Sequence, residues 1–216
     1  SVNPHLLEGT IFTVDQMGRS GFTIPYIDGG VSISRTARTF PAYLIFKPGM
    51  LITAILLIQY WRANNKLIQT IDNDFSKNKY FLFFGAGSAL FLVIHSLLLG
   101  IQFEVDLYKF FRRFVLLAFI IFELVAQALL IKNMIKIKNK IIEMINKKIL
   151  IVKTFIVSAL IIVGILSLPI LGSSGHVHFK HALEWNYFIG VIIFYLLTFL
   201  FWKKRKKPSV HTPKDV

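Results

Sequence analysis

Residues 149–172 read ILIVKTFIVSALIIVGILSLPILG, and this stretch decides the fold class because Lys153 is its single charge. A helix needs about 20 mainly apolar residues to cross a hydrocarbon core of ~30 Å, since backbone groups without partners are too costly in lipid. Four further stretches meet this condition. The predicted spans are 42–61, 80–103, 114–131, 149–172 and 185–202. The sequence therefore predicts an all-α, polytopic transmembrane helix bundle with five spans, or six if another helix precedes Ser1.

The composition agrees with this prediction. Of the 216 residues, 55% belong to the hydrophobic set and 17% are charged, whereas soluble domains have about 45–50% and about 25%. The net charge of +14 does not indicate nucleic acid as a partner, because the basic residues separate apolar runs and do not cluster on a soluble module. The chain has no cysteine, which excludes disulfides, thiol nucleophiles and thiolate metal ligands.

The basic residues also predict the orientation in the membrane. Segments 62–79, 132–153 and 203–216 all fall on one side of the bundle and hold 17 of the 25 Lys and Arg residues. Because cationic loops stay cytoplasmic, the C-terminus is predicted to be cytoplasmic and Ser1 extracytoplasmic. We divide the chain into an extracytoplasmic N-terminal loop (1–41), the bundle (42–202) and a basic cytoplasmic tail (203–216). We expect a helix or a cleaved signal peptide before Ser1, or a first helix inserted with its N-terminus outside.

The N-terminal segment provides a first candidate site. Its turn residues, and the alternation of VSISRTART at 31–39, predict a small ordered loop or hairpin over the outer mouth of the bundle. The two arginines of this segment can bind a phosphate or a carboxylate group. Alternatively, they lie at lipid headgroups or donate hydrogen bonds to the loop's own backbone. The candidate ligand-binding residues of the outer face are Asp28, Arg35, Arg38, Glu104 and Glu184.

Ionisable residues inside the spans form a second candidate site. His95 and Glu123 fall within predicted helices, and such groups are costly unless they are paired or face a cavity. Helix geometry places Glu123 near mid-membrane and His95 about 5 Å further out, so the two are candidates for contact. Gln127 lies one turn from Glu123 on the same face. These three residues predict one of two roles. They form a structural interhelical hydrogen bond, or they act as a proton relay or contact a substrate.

Three histidines and a glutamate in the last outer loop form a third group. His176, His178 and His181 fall within six residues, followed by Glu184. If His176 and His178 lie on an extended strand, this set can supply nitrogen and oxygen ligands to zinc or another transition metal. The spacing lacks the helical HExxH arrangement, so a surface cluster or a pH-sensitive patch is the favoured interpretation. Outside this hypothesis, no cofactor is expected.

The stretch 132–153 mixes isoleucines at helical spacing with seven lysines. It is typical of helix extensions or an interfacial amphipathic segment, and each lysine near an anionic leaflet contributes ~1 kcal/mol to binding. The same pattern is equally typical of lysines that only set the orientation of the protein in the membrane. The predicted contacts with anionic lipid are Lys136, Lys138, Lys140, Lys147 and Lys148.

In the order of its segments the chain resembles the Frag/DRAM/Sfk superfamily, which includes damage-regulated autophagy modulators and GPI-anchor lipid-remodelling proteins. IPYIDGG (24–30) followed by FPAYLIFKPGMLITAILL (40–57) is similar to the family's Pro-Tyr-Ile-Ser-Asp-Thr-Gly loop leading into a helix. LLLGIQFE (97–104) and HALEWNYFIGVIIFYLLTFL (181–200) resemble a helix end and the final helix. The resemblance implies six helices with both termini cytoplasmic, and a role ranging from trafficking or signalling to lipid remodelling.

Three functions follow as hypotheses. The first is an integral membrane protein, not an enzyme of the soluble type, that organises or regulates membrane lipids or trafficking, with a headgroup-sized polar site on its outer face. Its partners are membrane lipids, including anionic ones, and a protein in a membrane complex. The second is a membrane-embedded lipid hydrolase or transferase that uses the histidine set to hold a metal. The third is a proton-coupled transporter or channel, which is less favoured because no pair of broken helices is evident.

Overall fold

The computed structural model describes residues 24–37, 42–71, 79–98, 106–173 and 175–203. In these ranges the chain forms helices and no strand, apart from an isolated antiparallel bridge between Ile145 and Trp202. The helices are α1 (Pro25–Asp28), α2 (Ile33–Thr36), α3 (Ala42–Ile71), α4 (Tyr80–Leu98), α5 (Asp106–Lys136), α6 (Lys138–Ile141), α7 (Lys147–Gly172) and α8 (Val177–Phe201). The prediction of an all-α fold is confirmed.

Five helices among the described residues, α3, α4, α5, α7 and α8, are long and apolar enough to cross a membrane. The chain is therefore an integral, multi-pass membrane protein, as the sequence predicts. Several helices are longer than the apolar stretches that identify them: α3 continues from residue 61 to Ile71, and α8 begins at Val177 instead of 185. Polar residues continue these helices because a helix satisfies its backbone internally on either side of the apolar boundary.

α3 begins at Ala42 and contains Pro48 in its second turn. A proline within an apolar run predicts either a helix that is kinked near its start or a helix that begins at the proline. The second alternative is wrong, because helical residues precede Pro48. Pro48 is the seventh residue of α3, so the helix continues across it without the hydrogen bond that an N–H at this position would donate to the Leu44 carbonyl.

Of the two predicted alternatives for the N-terminal segment, an ordered loop or a hairpin, the hairpin is wrong for the part of 31–39 that the structure describes. Ile33–Thr36 form a helical turn whose N-cap is Ser32, and the Ser32 hydroxyl accepts a hydrogen bond of 3.2 Å from the Arg35 N–H. The Thr36 hydroxyl donates to the Ser32 carbonyl at 3.1 Å. Serine and threonine side chains form hydrogen bonds to nearby backbone groups in this way and favour helix caps and turns. These bonds therefore stabilise a helical turn where the alternating pattern predicts a strand.

The spanning helices pack as consecutive neighbours, α3 on α4, α4 on α5, α5 on α7 and α7 on α8. Bonds between helix ends show that they alternate in direction: Ser96 near the end of α4 donates to the Lys47 carbonyl near the start of α3. We call the end of the bundle that carries α6 and the start of α7 the lysine-rich end. There the Asn146 N–H donates to the Phe201 carbonyl at 2.8 Å and ties the end of α8 to the start of α7.

α3 and α4 approach closely where Trp61 packs over Gly85. The indole is fully buried, and its ring makes contacts with those of Phe81 and Tyr195. A Cβ atom at position 85 would overlap the Trp61 ring. Small residues let membrane helices approach in this manner, and here the gap left by glycine is filled by a tryptophan from the neighbouring helix.

The short helices α1 and α2 pack on the start of α8, opposite the lysine-rich end. Three α8 side chains bond to carbonyl oxygens of this segment: His181 Nδ1 lies 3.1 Å from Gly29 O, Trp185 donates to Val31 at 2.9 Å, and Asn186 donates to Tyr26 at 2.8 Å. We call residues 24–37 the cap segment. It is attached to the bundle mainly by hydrogen bonds to its main-chain carbonyl oxygens.

Candidate functional site

Glu123 is the centre of a buried polar cluster that joins three spanning helices. Its side chain is 1% exposed. Ser88 on α4 donates to Oε2 at 2.7 Å, Gln127 on α5 donates to Oε1 at 2.8 Å, and Tyr195 on α8 donates to Oε1. The prediction that Gln127 and Glu123 share one polar stripe is confirmed. Neither Ser88 nor Tyr195 was singled out in the sequence, because serine and tyrosine are common in membrane helices.

The predicted contact between Glu123 and His95 is not formed, since His95 is absent from the hydrogen-bond partners of the carboxyl group. His95 is buried on α4, two turns beyond Ser88, and its Nδ1 has no hydrogen-bond partner among the described residues. Gln127 Oε1 and Trp61 Nε1 are likewise buried without a partner in the described chain. The cluster therefore satisfies the carboxyl group and leaves some of the neighbouring polar atoms unsatisfied.

A second polar group links α3, α7 and α8 near the lysine-rich end. Lys153 is 5% exposed, and its ammonium donates to the Thr198 hydroxyl at 2.7 Å. The same hydroxyl lies 3.4 Å from the Tyr60 hydroxyl. The Tyr60 ring packs edge to face on the Tyr195 ring, 4.9 Å between centroids, and so adjoins the Glu123 cluster. Lys153 is the single charge of the predicted span 149–172, but it was counted with the topology lysines, and its burial was not predicted.

Two of the outer-face candidates, Asp28 and Glu184, accept hydrogen bonds from backbone groups of the cap segment. Asp28 closes its own turn by accepting from the N–H groups of Ile24 and Gly30, at 2.7 and 2.8 Å. Glu184 accepts hydrogen bonds from the backbone N–H groups of Ile33 and Ser34. Arg35 is exposed. Of the five predicted residues, Asp28 and Glu184 thus bind backbone, and Arg38 and Glu104 lie outside the described residues.

The histidine set does not form the extended arrangement on which the metal hypothesis depends. His178 and His181 lie on α8, and His176 is the residue that precedes the helix, with φ of 51°. His181 is occupied by the Gly29 carbonyl, and Glu184 by the two amides of α2. Across the described ranges, no three His, Asp or Glu side chains are grouped as metal ligands. The zinc site stays a prediction without support from this geometry.

The five predicted lipid-contact lysines all lie at the lysine-rich end, where four of them are exposed and Lys138 is partly buried. Beside them a groove of about 290 Å³ runs between α5 and α7. It is lined by Ala128, Ile131, Lys132, Ile135, Thr154, Val157, Ser158 and Ile161. Small and hydroxyl-bearing residues at 128, 154 and 158 are the sequence signal for this site, but whether they face a neighbour or a groove depends on the packing of two helices.

Comparison of the chain with protein-family models, with curated proteins and with solved structures finds no match. The resemblance to the Frag/DRAM/Sfk superfamily therefore stays a prediction.

Proposed function

We propose that the protein binds anionic membrane lipids in the groove between α5 and α7 and thereby organises or regulates lipids in its membrane. The single observation that supports this proposal is the combination of apolar groove walls with an exposed lysine, Lys132, on the rim. An acyl chain fits between the isoleucine and valine side chains, and a negatively charged headgroup is attracted to the cation. The lysine-rich end is then the cytoplasmic end, in agreement with the distribution of positive charge.

The positions along the helices support this arrangement. α5 runs toward the lysine-rich end, so Lys132 lies nearer that end than Ala128, and exposed Lys136 follows one turn later. α7 starts at the same end with exposed Lys147 and Lys148. A lipid whose tail occupies the groove therefore carries its headgroup into a cationic environment. Each lysine near an anionic surface contributes ~1 kcal/mol, which is sufficient to prefer an anionic headgroup over a zwitterionic one.

The experiment compares two lipids that differ only in headgroup. Purified, delipidated full-length protein in micelles is mixed with equal amounts of phosphatidylserine and phosphatidylcholine with the same acyl chains, and bound lipids are counted by native mass spectrometry. We expect phosphatidylserine to be preferred, and Lys132→Gln to lower this preference about fivefold, the equivalent of ~1 kcal/mol.

Two further variants separate the groove from general charge. Lys66→Gln removes an exposed lysine of α3 near the same end but outside the groove, and it should leave the preference unchanged. Ser158→Trp fills the groove and should reduce binding of both lipids. Equal binding of the two lipids by the unaltered protein, or equal effects of Lys132→Gln and Lys66→Gln, would contradict the proposal.

A further inference from the structure

Lys153 is a buried lysine that has no acidic partner among the residues that the structure describes. Its ammonium nitrogen lies 3.9 Å from the centroid of the Phe194 ring and 5.6 Å from that of Phe201, and donates to Thr198. Within the described part of the chain, no carboxylate forms an ion pair with it or acts on it electrostatically. Burying an unpaired charge is costly unless hydrogen bonds and an opposite charge offset the loss of water. Thr198 and the ring faces offset only part of that cost.

A small cavity of about 10 Å³ lies against this side chain. Its polar lining consists of Tyr60, Asn64, Lys153 and Thr198, and the rest of its wall is apolar. We call it the Lys153 cavity. Its volume is about that needed for one water-sized ligand, which excludes phosphate and carboxylate headgroups.

The lining is suited to a negative charge. The Lys153 ammonium has three N–H donors, of which one is bonded to Thr198. The Asn64 amide nitrogen donates to the Tyr60 carbonyl at 2.8 Å, and an Asn64 hydrogen bond also acts on the Tyr60 hydroxyl, so the remaining Lys153 N–H groups are the main donors toward the cavity. No acidic side chain lines the cavity. A cluster of donors with a net positive charge binds an anion and repels a cation.

We propose that the Lys153 cavity binds one small monovalent anion, such as chloride, which pairs with the Lys153 ammonium inside the bundle. The excess of lysines at the nearby end raises the local concentration of anions and supplies the site. The bound anion joins α3, α7 and α8, because Tyr60, Lys153 and Thr198 come from these three helices. The proposal is independent of lipid binding in the α5–α7 groove.

Chloride binding can be measured directly on the full-length protein in a zwitterionic detergent through the broadening of the ³⁵Cl resonance. We expect the unaltered protein to broaden the line above the detergent blank, bromide to reverse the broadening, and Lys153→Met to remove at least two thirds of it. Lys66→Met, at an exposed lysine outside the cavity, is the matched control and should keep it. A line as narrow as the detergent blank, or undiminished broadening in Lys153→Met, would overturn the proposal.

Thermal unfolding gives a second measurement, which tests the proposal even if the Lys153→Met variant folds poorly. At constant ionic strength, replacing gluconate by chloride at ten times the dissociation constant should raise the Tm of the unaltered protein by ~4 °C. Thr198→Val preserves the side-chain shape while removing the hydroxyl that positions the ammonium, and it should reduce this rise. If chloride and gluconate give the same Tm, the cavity holds water alone and the proposal is wrong.

Discussion

The Ser88 hydroxyl donates a hydrogen bond of 2.7 Å to Glu123 Oε2 and so joins α4 to α5 inside the bundle. Ser88 Oγ also lies 2.8 Å from the Gly85 carbonyl of its own helix, so its single hydroxyl proton has two acceptors within reach. With Gln127 and Tyr195 on the other oxygen, both carboxyl oxygens have donors. The buried glutamate therefore has the contacts of a structural residue that holds three helices together.

Substitutions at Glu123 should separate hydrogen bonding from charge. Glu123→Gln retains a carbonyl oxygen that accepts from neighbouring donors, and should lower the free energy of unfolding by less than ~1 kcal/mol. Glu123→Leu leaves the donors of Gln127 and Tyr195 unpaired, at ~1 kcal/mol or more each, whereas Ser88 keeps the Gly85 carbonyl as an acceptor. This variant should therefore lower the free energy of unfolding by about 2 kcal/mol. Unfolding with a denaturing detergent measures both. Equal losses for the two variants would argue against a role based on hydrogen bonds.

Gly85 should tolerate no side chain, since an added Cβ overlaps the Trp61 ring. We expect Gly85→Ala to lower the free energy of unfolding by about 1–3 kcal/mol through overpacking. The matched control is Gly49→Ala on α3, where nothing lies within 4 Å of the added atom. That variant should be neutral or stabilised by up to ~1 kcal/mol, because alanine favours helices over glycine. Similar results for both glycines would contradict the close α3–α4 packing.

Two glycines with positive φ provide a test of the cap segment. Gly29 has φ of 64° and Gly175 has φ of 98°, but only at Gly29 would a Cβ overlap the backbone of His178. Both alanine variants carry backbone strain of ~1 kcal/mol, and Gly29→Ala should in addition detach the cap segment from α8. Limited proteolysis near residues 24–37 should therefore be faster in Gly29→Ala than in Gly175→Ala. Equal rates would show that the approach to His178 is unimportant.

Trp185→Phe should loosen the cap segment locally. It removes the N–H that donates to the Val31 carbonyl, a hydrogen bond worth ~1 kcal/mol, so amide exchange across residues 24–37 should accelerate about fivefold. Hydrogen exchange read by mass spectrometry localises the effect. As a control, Phe188→Leu changes the ring that contacts Trp185 edge to face without removing a bond to the segment. Exchange there should stay close to that of the unaltered protein.

The spanning helices were predictable because each leaves a long apolar run in the sequence. Their ends were less so: α8 begins at Val177, in a stretch with three histidines and a lysine that reads as a loop. Helix propagation through polar residues costs little once the apolar part is formed. The fold class therefore follows from composition and length, whereas the helix boundaries depend on local backbone bonding.

The contacts of the candidate residues were mostly beyond sequence reasoning. Glu123 and Gln127 share a helix face, so their pairing follows from helix periodicity alone. Lys153 and Thr198 lie 45 residues apart, and their contact depends on how α7 and α8 are rotated toward each other. Glu184 and the α2 amides are likewise distant in sequence. Periodicity predicts which residues share a face, and it contains no information on the side chain that meets them from the next helix.

The attachment of the cap segment has a consequence for sequence variation. His181, Trp185 and Asn186 all bind carbonyl oxygens of residues 26–31, which every amino acid possesses. The interface thus constrains the backbone conformation of this segment. Exposed side chains such as those of Tyr26 and Ile27 can be substituted without loss of these hydrogen bonds. A new recognition surface can be built on this end of the bundle by substitutions at those positions while the scaffold beneath is retained.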